Sequence, residues 1–238
     1  MTIGSQRKRD IEMMSDDMST LLKSISTIKK VRKGEFLFQE GQEAFDLYLV
    51  NSGLIQISKL TVDGRELNMR ISKKDDLIGE LTLFADDAKY MLSAIALEDS
   101  EVLVVNKDYL EKELLKNANL TFELMKWITN QLRINQSKIR DLIMNGKKGA
   151  FYSTLIRISN SYGQQTKDGI LINIHLTNHE LAKFCASTRE SINRMLGDLK
   201  KKSIIEMDSE GKILIKDIDY LREEIGCDLC PIEICTID

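Results

Sequence analysis

No stretch of this 238-residue sequence approaches the ~20 consecutive apolar residues that a membrane-spanning helix needs. The first twenty residues, MTIGSQRKRDIEMMSDDMST, hold basic residues but no apolar run of signal-peptide length. Both absences predict a cytoplasmic protein with no membrane partner. The chain also lacks a phosphate-binding loop of the Walker type and any carboxylate pair that its pattern would place in one pocket. Its two histidines, His175 and His179, flank one predicted helix start, where a structural role suffices. An enzyme is therefore not expected. A large charge imbalance is missing too, and a net charge of −3 argues against indiscriminate nucleic-acid binding. Cysteine is absent from residues 1 to 184, and proline occurs once, at Pro231.

What is present suffices for real cores. At 42% hydrophobic and 30% charged, the chain is not a disordered one, and its length suits two domains of about 100 residues each. Residues 31 to 105 read as short strands punctuated by glycine, with Tyr48, Val50, Leu54, Ile55 and Ile57 as strand residues. Gly34, Gly41 and Gly53 mark turns, and Asp63-Gly64 is a hairpin signal. Such spacing predicts a small antiparallel barrel or roll. From Lys107 the period changes: Leu120, Leu124, Ile128, Leu132, Ile139 and Leu142 describe one stripe along a long helix. A helix of that length needs a partner surface, either its own roll or a second copy; Gln131 and Asn135 weaken an ideal seam.

The last third changes character again. AFYSTLIRISNSYG reads as helix, and Asp168-Gly169 as a hairpin turn. Thr177 with Glu180 forms a capping box that opens a helix running through Phe184. Ser187 or Thr188 caps a second helix through about Lys201, and a hairpin with Gly211 in its bend follows. Two short helices around a tight turn, then a hairpin, predict a winged helix-turn-helix. The expected fold is α+β: an N-terminal helix and β-roll over 1–106, a long dimerisation helix over 107–145, the winged helix-turn-helix over 146–216, and a cysteine-rich tail over 217–238.

Charge singles out the helix-turn-helix. Residues 176 to 205 hold six basic side chains, among them Lys183, Arg189, Arg194 and Lys200 to Lys202, against three acids. Basic side chains there supply a salt-sensitive phosphate contribution. Glu190 and Arg194 lie one turn apart near the start of the second helix, with Arg189 beside them, so all three can face one groove. Arginine reads guanine bidentately and glutamate accepts from cytosine N4, so the trio suits base reading. Thr188 and Ser191 complete the predicted DNA-contacting set. Elsewhere the same residues would read as a helix cap (Glu190 with Ser187) and a solvated face.

Roll, long helix and winged helix-turn-helix in this order, with TRESINRMLGDLKKKSII, resemble the Crp/Fnr family of transcription regulators over nearly the whole chain. Arg189, Glu190 and Arg194 match the Crp-like pattern, whose half-site is TGTGA; the Fnr pattern carries serine at the position of Asn193. The resemblance implies a homodimer on palindromic double-stranded DNA, with RNA polymerase as a further partner. The family's nucleotide-binding members hold a cyclic phosphate with Gly-Glu and, about ten residues later, an arginine. Here Gly79 and Glu80 are kept, but Tyr90, Met91 and Leu92 stand where the arginine should fall. A cyclic phosphate would be left uncompensated, so cyclic nucleotide is not expected as effector.

The signal is then sought in the tail. Cys227, Cys230 and Cys235 lie within nine residues, and Pro231 directly after Cys230 matches the Cys-Pro of ferredoxin-type ligation. By spacing alone, an iron–sulfur cluster, a structural zinc and a redox-active thiol pair all remain open. The chain resembles most closely the Fnr oxygen sensors of bacilli, which carry a 4Fe–4S cluster at the C-terminal end. That resemblance implies Cys227, Cys230, Cys235 and Asp141 as cluster ligands. Without a metal, Asp141 reads as a surface salt bridge of little worth. Cys185, at the turn of the helix-turn-helix, reads as a small buried residue. The tail is acidic, with Asp217, Asp219, Glu223, Glu224, Asp228, Glu233 and Asp238 against Arg222, so it is expected to face away from DNA.

Overall fold

Two four-stranded antiparallel sheets pack on each other in the first third, burying consecutive residues of their central strands. One runs β1 (Ser26–Val31), β8 (Ser100–Asn106), β3 (Asp46–Ser52) and β6 (Leu77–Ile78). The other runs β2 (Phe36–Phe38), β7 (Ser93–Ala96), β4 (Ile55–Leu60) and β5 (Glu66–Ser72). The computed structural model describes residues 15–60, 66–208, 211–227 and 229–237. The Asp63-Gly64 turn lies outside the described residues, although β4 and β5 pair antiparallel on either side of it. Gly34, Gly41 and Gly53 all take positive φ, as the predicted turns require. Between the sheets sit Leu37, Phe38, Val50, Ile55, Ile57, Ile78 and Val102.

A helix α1 (Asp16–Ser24) precedes the roll. Ser15 caps it by accepting from the Met18 N–H at 3.1 Å, and Asp16 and Asp17 complement its N-terminal dipole. The helical run from Lys107 is not one helix but two, α2 (Lys107–Lys116) and α3 (Ala118–Met144). Asn117 divides them: it is extended, ends the first and caps the second through the N–H groups of Asn119 and Leu120. Asparagine competes well for backbone N–H groups, which explains the break inside an otherwise continuous pattern.

The stripe expected along α3 also divides. Leu120, Leu124, Trp127 and Ile134 are buried; the first three pack with Leu47, Leu49 and Leu103 beneath the roll. Leu132 and Ile139 instead point outward, 56% and 49% exposed. With Phe122, Met125, Thr129, Gln136 and Ile143 they form an uncovered row at alternating spacings of three and four. That is heptad spacing, with Phe122, Thr129, Gln136 and Ile143 at one position of the repeat and Met125, Leu132 and Ile139 at another. Gln131 and Asn135, expected to weaken the seam, lie outside that row and line the roll cavity, whose edge Leu132 also touches.

After Asn145, Gly146 at φ +58° turns the chain into α4 (Gly146–Tyr162). The DNA-binding unit continues with β9 (Gly163–Thr166), β10 (Gly169–Ile172), α5 (Asn178–Phe184), α6 (Arg189–Lys201), β11 (Ile205–Met207) and β12 (Ile213–Ile215). Its four strands form one sheet in the order β11-β12-β10-β9. The acidic tail is no loose appendage. It begins with α7 (Ile218–Glu224), whose Leu221 is fully buried, and Cys235 and Ile237 join the same core as Phe151, Leu155 and Leu196. Ile71 of β5 reaches this core from the roll, and the Tyr162 hydroxyl donates to its carbonyl at 3.2 Å.

Candidate metal centre and DNA-reading helix

The tail is laid onto α4 by its backbone. Arg157 Nη1 donates to the carbonyls of Ile234 (3.1 Å) and Thr236 (3.4 Å). Asn160 donates to the carbonyl between them, that of Cys235, at 2.7 Å. The Ile237 N–H donates to Ser161 Oγ, and Lys138 Nζ to the Ile237 carbonyl, each at 3.0 Å. Three successive carbonyls are thus gripped by one helix, and Cys235 is fixed from both sides. Cys227 and Cys230 stay half-buried.

These three cysteines and Asp141 line one recess of about 540 Å³ at the α3–α4 joint, together with Arg140, Met144, Asn145 and Gly226. The four ligand candidates are therefore brought together, although Asp141 lies 86 residues before Cys227 in sequence. Burial pushes the Cys235 thiol up to about 11, with Arg157 pulling the other way. Among the described residues, no three His, Cys, Asp or Glu side chains are gathered tightly enough to hold a single metal ion.

Asp141 is not the surface salt bridge that its neighbourhood of cations suggested. It is 6% exposed and accepts four hydrogen bonds. Oδ2 takes Ser153 Oγ at 2.6 Å and Arg157 Nη2 at 2.7 Å. Oδ1 takes Arg140 Nε at 3.2 Å and Nη2 at 3.0 Å. Burial alone would raise its pKa, but Ser153 and the two arginines outweigh that and hold the carboxyl below its ordinary value. Arg157, 2% exposed, donates all five of its N–H groups: to Asp141, Ser153, Ser137 and the two tail carbonyls. Sequence reading missed it. Its signal was an arginine inside the otherwise apolar face of AFYSTLIRISN, one turn after Ser153.

Cys185 lies apart, buried in the helix-turn-helix core with its thiol donating to Thr154 Oγ1 at 3.5 Å. Burial drives its pKa up to about 12. It does not line the recess.

The helix-turn-helix forms as its caps dictate. The Thr177–Glu180 capping box is present, with the Thr177 N–H donating to Glu180 at 2.6 Å. Thr188, rather than Ser187, caps α6 by accepting from the Ser191 N–H. Arg189, Glu190 and Arg194 are all exposed at the N-terminal end of α6, while Ile192, Leu196 and Leu199 bury the opposite face. Bonds from its own backbone N–H and from Thr188 hold the Glu190 carboxyl below its ordinary value. Asn193 pairs with Asn178 across the two helices. Lys183, counted above with the phosphate-facing cations, is instead bonded to Glu66 of the roll.

The roll holds a cavity of about 950 Å³ lined by Phe38, Ile57, Gly79, Glu80, Tyr90 and Leu92 and closed by α3. Gly79 at φ +92° forms the turn, and Glu80 accepts from Arg70 at 3.0 Å. Tyr90 stacks on Phe38 with centroids 3.8 Å apart and donates to the Asp46 carbonyl. Arg70, the one cation lining this cavity among the described residues, is thereby committed to Glu80 and to the Leu77 carbonyl.

An antiparallel roll, a long helix and an exposed basic helix on a winged scaffold define a DNA-binding transcription regulator. Residues 28–117 match the cyclic nucleotide-binding domain family and residues 152–224 the Crp-like helix-turn-helix domain family. The chain is 60% identical over 238 residues, all of both chains, to the anaerobic regulatory protein of Bacillus subtilis. It is 31% identical over 212 residues to the lactate racemization regulatory protein of Lactiplantibacillus plantarum, covering 85% of this chain and 92% of that one. Among solved structures, FixK2 from Bradyrhizobium japonicum superposes with a TM-score of 0.72 at 19% identity, over 84% of this chain and 96% of that one. The chain belongs to the Crp/Fnr family of transcription regulators.

Proposed function

We propose that this protein is an anaerobic transcription regulator that binds TGTGA-type palindromes as a homodimer under the control of a 4Fe–4S cluster. The observation that carries this reading is the recess where Cys227, Cys230 and Cys235 meet Asp141 at the joint between the long helix and the DNA-binding unit. A relative of 60% identity is called an anaerobic regulatory protein, which supports the same physiology. The cluster, when bound, supplies sensitivity to oxygen. The chain's own residues do the rest. Cys235 is held rigidly by α4, whereas Cys227 and Cys230 stand on the segment after α7, so the ligand set straddles a fixed and a less anchored part of the tail. Asp141 ties that set to the last turn of α3. Occupancy therefore biases how α4, and the recognition helix behind it, sits against the dimer helix. Arg189, Glu190 and Arg194 read base edges, while Lys200 and Lys201 serve phosphates; Lys202 donates instead to the Tyr220 hydroxyl at 2.6 Å. The roll cavity takes no part in sensing a cyclic phosphate, because its arginine is committed to Glu80.

Protein purified without air should be brown, contain iron and sulfide, and retain a TGTGA palindrome that air-treated protein releases. Serine at 227, 230 or 235 should abolish colour and DNA retention together. Colourless protein with stoichiometric zinc, still retaining the palindrome, would replace this reading with a constitutive zinc-stabilised regulator.

A further inference from the structure

Asp141 gives its two oxygens to different partners. Oδ2 accepts from Ser153 and Arg157, both buried. Oδ1 faces Arg140, which lines the cysteine recess itself. An ionised carboxylate has about four acceptor sites, and here four N–H or O–H donors fill them. A metal cannot be added to this carboxylate without displacing a donor. Displacing Arg157 would strand a buried cation and release the tail carbonyls it holds. Arg140 is different: its side chain is 39% exposed, so water can take over its N–H groups.

We propose that Arg140 is a built-in competitor for the cluster's carboxylate ligand, occupying Asp141 Oδ1 whenever the iron at that corner is absent. The proposal rests on the cluster reading above. Iron held at that corner would take Oδ1 in place of the two N–H···O bonds from Arg140, with no electron or proton transferred and the guanidinium still charged. Ser153 and Arg157 keep Oδ2 throughout, so Asp141 stays in place as it changes partner. When iron leaves, the adjacent residue recaptures the oxygen at once, which makes departure easier and return harder. Arg157 is the positioning residue and Arg140 the rival.

The test follows loss of iron–sulfide absorbance in air for the full chain and for Arg140→Ala and Arg140→Lys, each also on an Asp141→Cys background. With Asp141 present, Arg140→Ala should slow bleaching by about two- to fivefold, the range a half-exposed ion pair supports. Arg140→Lys, which keeps the charge but not the two-pronged grip, should fall between it and the parent. On the Asp141→Cys background both substitutions should change nothing. A second readout adds ferrous iron alone to the cluster-free chain under argon, where Arg140→Ala should bind it a few-fold more tightly. Unchanged or faster bleaching in Arg140→Ala, or an equal effect on the Asp141→Cys background, overturns the competition while leaving the cluster reading intact. A parent chain that takes up neither iron nor sulfide overturns both.

Discussion

Replacing Asp141 by alanine in the iron-free protein isolates what the carboxylate does for the fold itself. The substitution removes the only carboxylate that Arg157 contacts among the described residues, leaving a guanidinium that is 2% exposed without its counter-charge. Breaking a buried pair from one side costs about 3–5 kcal/mol, because the surviving charge cannot reach water. An exposed pair would cost at most about 1 kcal/mol. With a urea m-value of about 2 kcal/mol/M, the buried case lowers the unfolding midpoint of the C-terminal half by about 2 M, and the exposed case by about 0.5 M or less. Circular dichroism in urea, under argon with a chelator, separates the two. Arg140→Ala serves as the internal control, since its half-exposed side chain should cost no more than the surface value. A shift below about 0.5 M for Asp141→Ala would refute the view that Arg157 and Asp141 hold the joint together. The pH dependence has a definite sign. The folded pKa of Asp141 is depressed, so its contribution is complete above the unfolded value of about 3.9 and is lost only as acid takes the pH through the lower folded one.

Leu132→Glu or Met125→Glu should yield monomers by sedimentation, since each puts charge into the uncovered heptad row, whereas Leu124→Glu should disturb the roll instead. Arg194→Ala should cost about 1–3 kcal/mol on a cognate palindrome and relax preference at one base pair, while random DNA is affected much less; equal loss on both in a titration would remove it from base reading. Iodoacetamide at pH 8 should label Cys227 and Cys230 in the iron-free native protein before Cys235, and Cys185 only after unfolding, as peptide mass mapping would report.

Much of this fold was legible in the sequence because its punctuation is local. Thr177 with Glu180, Thr188 and the glycines at 34, 41 and 53 act through neighbours a few residues away, and each sits where its chemistry predicts; the second hairpin is shifted by one residue, its turn on Lys167 and Asp168 with Gly169 already in β10. The seam was harder. Apolar residues on α3 cover two faces, one for the roll and one for water or a partner, and a single sequence does not say which leucine serves which. Leu120 and Leu132 look alike until the roll is set against the first of them. The recess was reachable only by resemblance: Asp141 and the cysteines meet through the turn at Gly146 and the return of the tail along α4. Arg157 escaped because five of its acceptors come from three separate segments, and two of those are backbone carbonyls that leave no trace in side-chain patterns.

The two polar members of the uncovered row carry a consequence for the spacing of DNA sites. Thr129 and Gln136 occupy the same heptad position, flanked at that position by Phe122 and Ile143. In a parallel, symmetric pair each meets its own copy; slipping one helix by a heptad would set Gln136 against Thr129 and Phe122 against Thr129, and leave end residues unmatched. A polar residue at such a position is known to fix register at some cost in affinity. One heptad of slip is about 10 Å along the axis, against half-sites about 34 Å apart, so a slipped dimer would carry its two α6 helices out of phase with successive major grooves. In such a dimer the threonine and glutamine would work as graduations on a ruler, and the distance they mark would be the one a palindromic site must match.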